Sequence, residues 1–230
     1  MPNPSELHVS TRLRTVRVWD LPVRLFHWAL VALIVLSFVT AQIGGNAMEI
    51  HELSGFTILA LVLFRIAWGF AGSTYARFSD FVRGPGSAKA YARTLRTARP
   101  AFHAGHNPLG GWMILALLLS LLLQAGTGLF SNDDVMLEGP LAKLVSKASS
   151  DLLTRVHHVN FYVLTTLIGL HILAALYYLW AKRENLVLPL ITGRKRVPAD
   201  ESAEDARGGA LWLAAVLLAA CGTGVWLLVR

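Results

Sequence analysis

The chain has 230 residues, of which 54% are hydrophobic and 15% are charged, and its formal net charge is +7. This composition excludes an ordinary soluble domain and favours a protein that crosses a membrane several times. The basic residues lie in short segments between apolar runs, which is typical of topology signals and headgroup contacts rather than of nucleic-acid binding.

The N-terminal residues 1–22 are polar and contain no apolar core of the signal-peptide type, so we expect a retained cytoplasmic tail. Beyond this tail, five apolar segments are long enough to cross a hydrocarbon core, which takes about 20 helical residues. Each is predicted to be a helix, because every amide must be hydrogen-bonded internally in lipid. In chain order they are Leu25–Ile43, Leu53–Phe70, Leu109–Phe130, Val159–Ala181 and Ala210–Val229.

The charges of the connecting segments predict the orientation of the chain. Residues 71–108 and 182–196 are rich in Arg and Lys, as is the N-terminal tail, whereas residues 44–52 carry two glutamates and neither Arg nor Lys. Because cytoplasmic loops carry the excess of basic residues, we expect a cytoplasmic N-terminus and a periplasmic C-terminus.

The spacing of charged, proline and glycine residues divides the chain into four predicted parts. Residues 182–208 carry many charges together with Pro189, Pro198 and three glycines, which is typical of a linker. The single cysteine, Cys221, cannot form an internal disulfide, and without a CxxCH motif a covalent c-type haem is excluded. The predicted parts are a tail (1–22), a four-helix domain (23–181), a charged cytoplasmic linker (182–208) and a fifth transmembrane helix (209–230).

Four histidines lie at or inside the apolar segments: His27, His51, His157 and His171. An ionisable side chain at membrane depth marks a candidate functional site. His157 and His171 are 14 residues apart, so their side chains project from nearly the same helix face, about 21 Å apart along the axis. Three others, His8, His103 and His106, lie in predicted cytoplasmic segments, where we expect surface groups.

The depths of these histidines predict two pairs. His157 lies near the outer surface, and His171 lies about 21 Å further in. His27 lies about 24 Å below the outer end of the first helix, at the level of His171, and His51 begins the second helix at the level of His157. The predicted pairs are therefore an inner His27/His171 and an outer His51/His157. His158 points about 100° away from His157, so we choose His157 as the ligand.

Two imidazoles with no thiolate nearby are a poor structural zinc site, which needs four ligands. A porphyrin leaves two axial positions that a histidine pair fills, and this saturated ligation favours electron transfer over oxygen binding. The hypothesis is a carrier with two non-covalently bound b haems.

Three further residues are candidates for haem contacts. Arg24 and Arg65 are predicted near the inner level, where they could pair with haem propionates. Gly55 follows His51 by one helical turn and would let a macrocycle pack against the backbone. The plainer interpretations stay open: Arg24 as a topology residue, Arg65 reaching the interface, and Gly55 as a helix-packing contact.

With these residues identified, the chain resembles the bacterial cytochrome b561 family and the related b-type cytochrome subunits of nickel–iron hydrogenases. The matching stretches are VRLFHWALV at 23–31, HELSGFTILALVLFRIAWGF at 51–70, GHNPLGGWM at 105–113 and HHVNFYVLTTLIGLHI at 157–172.

This resemblance implies an all-α four-helix transmembrane bundle in the bacterial inner membrane, holding two b haems on His27, His51, His157 and His171. It also implies electron exchange in a respiratory chain, with ubiquinone or menaquinone and with a partner redox protein such as a c-type cytochrome. The fifth helix lies outside that four-helix pattern.

Three other functions stay open at this stage. The chain could be the membrane-anchoring cytochrome subunit of a hydrogenase or dehydrogenase complex. It could be a superoxide:quinone oxidoreductase, which the resemblance permits but no residue demands. It could also use the same histidines as a divalent-metal transporter, although its helices lack the intramembrane carboxylates that would line a cation path.

Overall fold

The computed structural model describes residues 13–95, 102–135, 137–199 and 201–230. His8, which we predicted to be a surface group, and most of the N-terminal tail therefore lie outside the described residues. The elements in chain order are β1 (Leu13–Arg17), α1 (Leu21–Ile43), α2 (Met48–Ala71), α3 (Phe78–Phe81), α4 (Pro85–Thr94), α5 (Pro108–Gly128), α6 (Lys147–Ala181), α7 (Val187–Thr192), β2 (Arg194–Pro198) and α8 (Leu211–Val229).

Five of these helices, α1, α2, α5, α6 and α8, are long and apolar enough to cross a membrane. This confirms the predicted all-α membrane fold with an additional C-terminal helix. The helices alternate in direction, so the first turns of α1 and α8 lie at the same end of the bundle as β1 and β2. We call this the sheet end and the opposite end the far end.

α1 and α6 begin well before the positions that the apolar pattern predicted, because polar side chains cap them. The Asp20 carboxylate accepts a hydrogen bond from the Val23 amide at 2.8 Å, and Pro22 occupies the first turn, so α1 begins at Leu21. Ser146 accepts from the Ser149 amide at 3.2 Å, and α6 begins at Lys147, well before its apolar part. Hydrophobicity alone does not mark such polar first turns.

The packing of the helices is uneven. α1 packs along α2, α2 also packs against α5 and α8, and α5 packs along α6. Within the described residues, α6 makes no comparably extended backbone approach to α1 or α2. The stacked rings of Phe38 on α1 and Phe161 on α6, 5.9 Å apart, reach across this interval. The helix faces that bear the candidate histidines therefore look onto a less closely packed part of the bundle.

A small two-stranded sheet covers the sheet end, and its strands come from the segment just before α1 and the segment just after α7. β1 and β2 pair antiparallel, with Val16 opposite Lys195. The following segment lies against β1, since the Ala206 amide donates to the Arg17 carbonyl at 2.7 Å. The predicted linker therefore contains a short helix, a strand and an ordered extended segment that lead into α8.

Candidate functional site

At the far end, the imidazoles of His51 and His157 face each other across α2 and α6, and we call them the far-end pair. Their ring centroids are 6.3 Å apart and their planes are inclined at 79°. Nδ1 of His51 donates to the Ser37 carbonyl at 2.9 Å, and Nδ1 of His157 donates to the Gln124 carbonyl at 2.9 Å. Because a carbonyl only accepts, Nδ1 carries a proton in both rings, which leaves Nε2 as the nitrogen that can bind a metal.

This arrangement is typical of metal-ligating histidines, whose second nitrogen donates to a backbone carbonyl. A metal–imidazole bond is about 2 Å long, and the rest of the 6.3 Å between centroids is spanned by the two rings. The separation of the two centroids is thus compatible with one ion held by both rings. Nε2 of His157 now accepts from the Gln124 side-chain amide at 3.0 Å, so metal ligation at this nitrogen requires that the amide turns away.

A buried polar chain supports His157 from α5 and α6. Asn160 donates to the Gln124 side-chain oxygen at 2.7 Å and to the Ser120 carbonyl at 2.9 Å. The Ser120 hydroxyl donates to the Asn160 side-chain oxygen at 3.0 Å. All three residues were missed from the sequence, although a polar side chain inside an apolar segment is itself a signal of a functional site.

His158 and Gly55 are also placed clearly at the far end. His158 lies in a surface groove beside Asn132 and Arg155, so His157 is the neighbour that faces His51. A Cβ at Gly55 would meet nothing within 4 Å. The space that the macrocycle hypothesis requires next to His51 is therefore free of protein atoms.

At the sheet end, His27, Arg65, His106 and His171 form what we call the sheet-end cluster. His27 on α1 and His171 on α6 are close enough for their charges to interact. Nδ1 of His27 is buried and, within the described residues, has no hydrogen-bond partner. The cluster thus contains both histidines of the predicted inner pair, but one nitrogen of His27 receives no hydrogen bond from the described residues.

Arg65 is buried in this cluster. Its side chain is 3% exposed, its guanidinium lies 5.5 Å from the Phe78 ring centroid, and its Nη1 is buried without a partner among the described residues. A buried cation with an unpaired N–H is costly. A carboxylate such as a haem propionate would supply the missing acceptor, so Arg65 and its surroundings fit a haem.

His106 is not the surface group that the sequence predicted. Its ring packs 4.7 Å from Trp19 and 4.8 Å from Phe81, measured between centroids, and its Nδ1 is buried without a partner in the described part of the chain. Burial, together with the nearby charges of Arg65 and His171, lowers the pKa of His106 to about 3. This imidazole is therefore neutral over the physiological range.

Arg24 lies at the edge of the site. Its guanidinium donates to the Ile191 carbonyl at the end of α7, and its Nε is buried without a partner in the parts of the chain that are described. The structure thus places Arg24 against the turn between α7 and β2, and a contact with a propionate stays a prediction.

The described residues contain no group of three or more His, Cys, Asp or Glu side chains that could hold a metal ion. Protein side chains alone would therefore provide two ligands at each level, as the histidine pairs do. Two imidazoles suit a metal whose other positions are filled by a macrocycle.

Apolar spanning helices and facing imidazoles define the class, and the protein is a multi-pass membrane b-type cytochrome. The family model described as prokaryotic cytochrome b561 matches residues 18–193, and the chain belongs to this family. This confirms the resemblance found in the sequence, and membership implies b-type haem.

Two curated relatives extend this comparison. A probable Ni/Fe-hydrogenase B-type cytochrome subunit of Rhizobium leguminosarum bv. viciae is 24% identical over 217 residues, covering 79% of this chain and 89% of the relative. A protein of the same description from Bradyrhizobium diazoefficiens is 23% identical over 217 residues, covering 79% of this chain and 86% of the relative. No solved structure matches the chain.

Proposed function

We propose that the protein is a di-haem b-type cytochrome that transfers electrons between the quinone pool and a partner redox protein. The observation that carries this proposal is the far-end pair, with ring centroids 6.3 Å apart and Nδ1 of each ring fixed on a backbone carbonyl. Each haem, when bound, supplies an iron centre that gains and loses one electron.

The chain's own residues have distinct roles in this proposal. His51 and His157 would hold one haem, and the Ser37 and Gln124 carbonyls fix the orientation of their rings. His27 and His171 would hold the second haem. Arg65 would pair with a propionate there and hold its negative charge inside the bundle.

The proposed location is the bacterial inner membrane, with the sheet end in the cytoplasm. Basic residues at this end support the orientation, because positive charges collect on the cytoplasmic side. They include Arg14, Arg17, Arg194 and Arg196, all on the two strands.

A second candidate is a membrane-anchoring cytochrome subunit of a hydrogenase. The descriptions of both relatives favour it, since each is a probable Ni/Fe-hydrogenase B-type cytochrome subunit. The two candidates share the same haem sites and differ in the partner, so purification from native membranes separates them. Hydrogenase subunits that co-purify in a fixed ratio would favour the anchoring role.

The test of the proposal uses the full chain purified in detergent. We expect a b-type reduced-minus-oxidised spectrum, two haems per chain, and haem reduction when a short-chain quinol is added. A preparation without haem after expression with haem supply would overturn the cytochrome proposal. A ratio of one haem would remove one of the two histidine pairs, and a spectrum unaffected by quinol would remove the quinone role.

A further inference from the structure

A cavity of about 280 Å³ lies at the sheet end, between the two strands and the first turns of α1 and α8. It is far larger than the roughly 10–15 Å³ that one bound water needs on the same measure. Its lining includes three arginines, Arg17, Arg24 and Arg194, and a single acidic residue, Asp20. The cavity is therefore cationic, and it adjoins the sheet-end cluster through Arg24 and through Trp19, whose ring packs against His106.

The guanidinium groups of the cavity arginines form no ion pair in the described part of the chain, although the Arg17 backbone amide donates to the Asp205 carboxylate at 2.6 Å. Within the described residues, the ion pairs involve other basic groups. The Arg17 guanidinium donates to the Ala206 carbonyl at 2.6 Å and that of Arg24 donates to the Ile191 carbonyl, both neutral acceptors. These groups can pair with an anion that the chain itself does not provide.

The single carboxylate in the lining is already used by its neighbours. Asp20 accepts from the Val23 amide at 2.8 Å, from the Trp68 indole at 3.0 Å and from the Ser73 hydroxyl at 2.6 Å. These three donors satisfy the carboxylate of Asp20, which caps α1. In the described part of the chain, Asp20 forms no ion pair with the arginines.

The start of α8 adds donors to the same cavity. No side chain from the described residues caps this helix, whose first residue Leu211 lines the cavity. Gly208 and Gly209 precede it with φ angles of +75° and +74°, and both also line the cavity. The free amides of an uncapped first turn and the positive end of the helix dipole attract anions.

We propose that this cavity binds the phosphate group of an anionic phospholipid from the surrounding membrane. Guanidinium groups pair with phosphate through two parallel hydrogen bonds. The membrane is the expected source because α1 and α8, both long and apolar enough to cross a membrane, begin at the cavity, so we expect the cavity at headgroup depth. Basic pockets between spanning helices on the cytoplasmic side are where such headgroups bind.

The test titrates the purified full-length protein with phosphatidylglycerol, cardiolipin or phosphatidylcholine and counts bound lipid by native mass spectrometry. Arg194→Gln should weaken phosphatidylglycerol and cardiolipin binding about five-fold, and adding Arg17→Gln should weaken it further, since each arginine near a membrane surface contributes about 1 kcal/mol. The Arg194 side chain forms no hydrogen bond or ion pair with another described residue. Its replacement should therefore not impair folding.

The matched control is the double variant Arg77→Gln, Arg93→Gln, which removes the same charge from two exposed positions outside the cavity. It should leave the lipid count unchanged. An equal loss in control and cavity variants, or no loss in either, would overturn the proposal. Competition by inorganic phosphate without binding of anionic lipid would also overturn it, because the site would then serve a free anion.

Arg24→Gln separates the two roles that Arg24 could have. Weaker phospholipid binding with an unchanged haem spectrum would support the cavity proposal. A changed haem potential with unchanged lipid binding would remove Arg24 from the cavity and assign it to a propionate. This readout does not depend on the quinone role proposed above.

Discussion

At the far end of the bundle, the imidazoles of His51 and His157 each donate from Nδ1 to a backbone carbonyl, and Ser120, Gln124 and Asn160 satisfy one another behind them. The sheet-end cluster differs. Nδ1 of its two buried imidazoles His27 and His106, and Nη1 of Arg65, lack partners within the described residues.

This difference shows two ways of preparing a cofactor site in a membrane bundle. At the far end, the protein fixes the ligand geometry itself through carbonyls and a closed polar chain. At the sheet end, a buried cation and unpaired nitrogens are stabilised only when another group supplies acceptors. We therefore expect the far-end haem to depend most on ring orientation and space, and the sheet-end haem on charge.

The largest expected effect comes from removing a ligand at one end only. His157→Ala should reduce the haem content from two to one per chain and remove the far-end centre, because one axial ligand and its carbonyl-fixed ring are lost. His171→Ala should remove the sheet-end centre instead. A redox titration of the remaining haem identifies which centre is left in each variant.

His158→Ala is the matched control, because it removes a neighbouring imidazole that lies in a surface groove. It should keep both haems. If His158→Ala loses the far-end haem while His157→Ala keeps it, the ligand assignment is wrong. Loss of both haems from either pair variant would contradict the independence of the two ends.

Much of this arrangement could be predicted from the sequence because it depends on local periodicity. The length of the apolar segments indicated five spanning helices, and helix geometry brought His51 to the level of His157. Helical phase likewise separated His157 from His158. These inferences need only the rise and rotation of one helix at a time.

The remaining features depend on contacts between distant residues, which periodicity does not report. β1 pairs with β2 across about 180 residues of chain, and the charged sequences of both strands read as tail and linker. His106 is enclosed by Trp19 and Phe81, from two separate segments. Hydropathy assigned it to a polar loop, because the apolar rings that cover it are far away in sequence.

Gly55→Leu tests whether the open space next to His51 is used by a macrocycle. A Cβ at this position meets no protein atom within 4 Å, so the chain should fold normally. A haem packed there would be displaced, and we expect far-end haem retention to fall about ten-fold, in line with overpacking costs of 1–3 kcal/mol. The measurement is haem loss to an acceptor such as apomyoglobin.

The control for this variant is Gly224→Leu, an exposed glycine on α8 that is also free of neighbours within 4 Å. It should retain both haems. Equal retention by Gly55→Leu would mean that the space beside His51 faces lipid rather than a cofactor.

Arg65→Met should act on the sheet end through charge alone. Loss of a buried cation stabilises the oxidised haem relative to the reduced one, so we expect the midpoint potential of the sheet-end centre to fall by roughly 60 mV, equivalent to about 1.4 kcal/mol. Arg65→Lys keeps the charge and should recover most of this potential. A shift of the far-end centre that is as large or larger would contradict the proposed propionate pairing.

The smallest effect is expected from the polar chain behind His157. Asn160→Leu leaves the Gln124 side-chain oxygen and the Ser120 hydroxyl without their partner, at a cost of about 1 kcal/mol in a membrane bundle. We expect Tm of the detergent-purified protein to fall by about 2–4 °C. Thr165→Val is the control on the same helix, since its exposed hydroxyl bonds only to carbonyls of its own helix, those of Phe161 and Tyr162. A similar fall in the control would show that loss of any polar group from α6 has this effect. A fall confined to Asn160→Leu, with both haems retained, would show that the far end keeps its ligand geometry through the carbonyl contacts even when the side-chain network is broken.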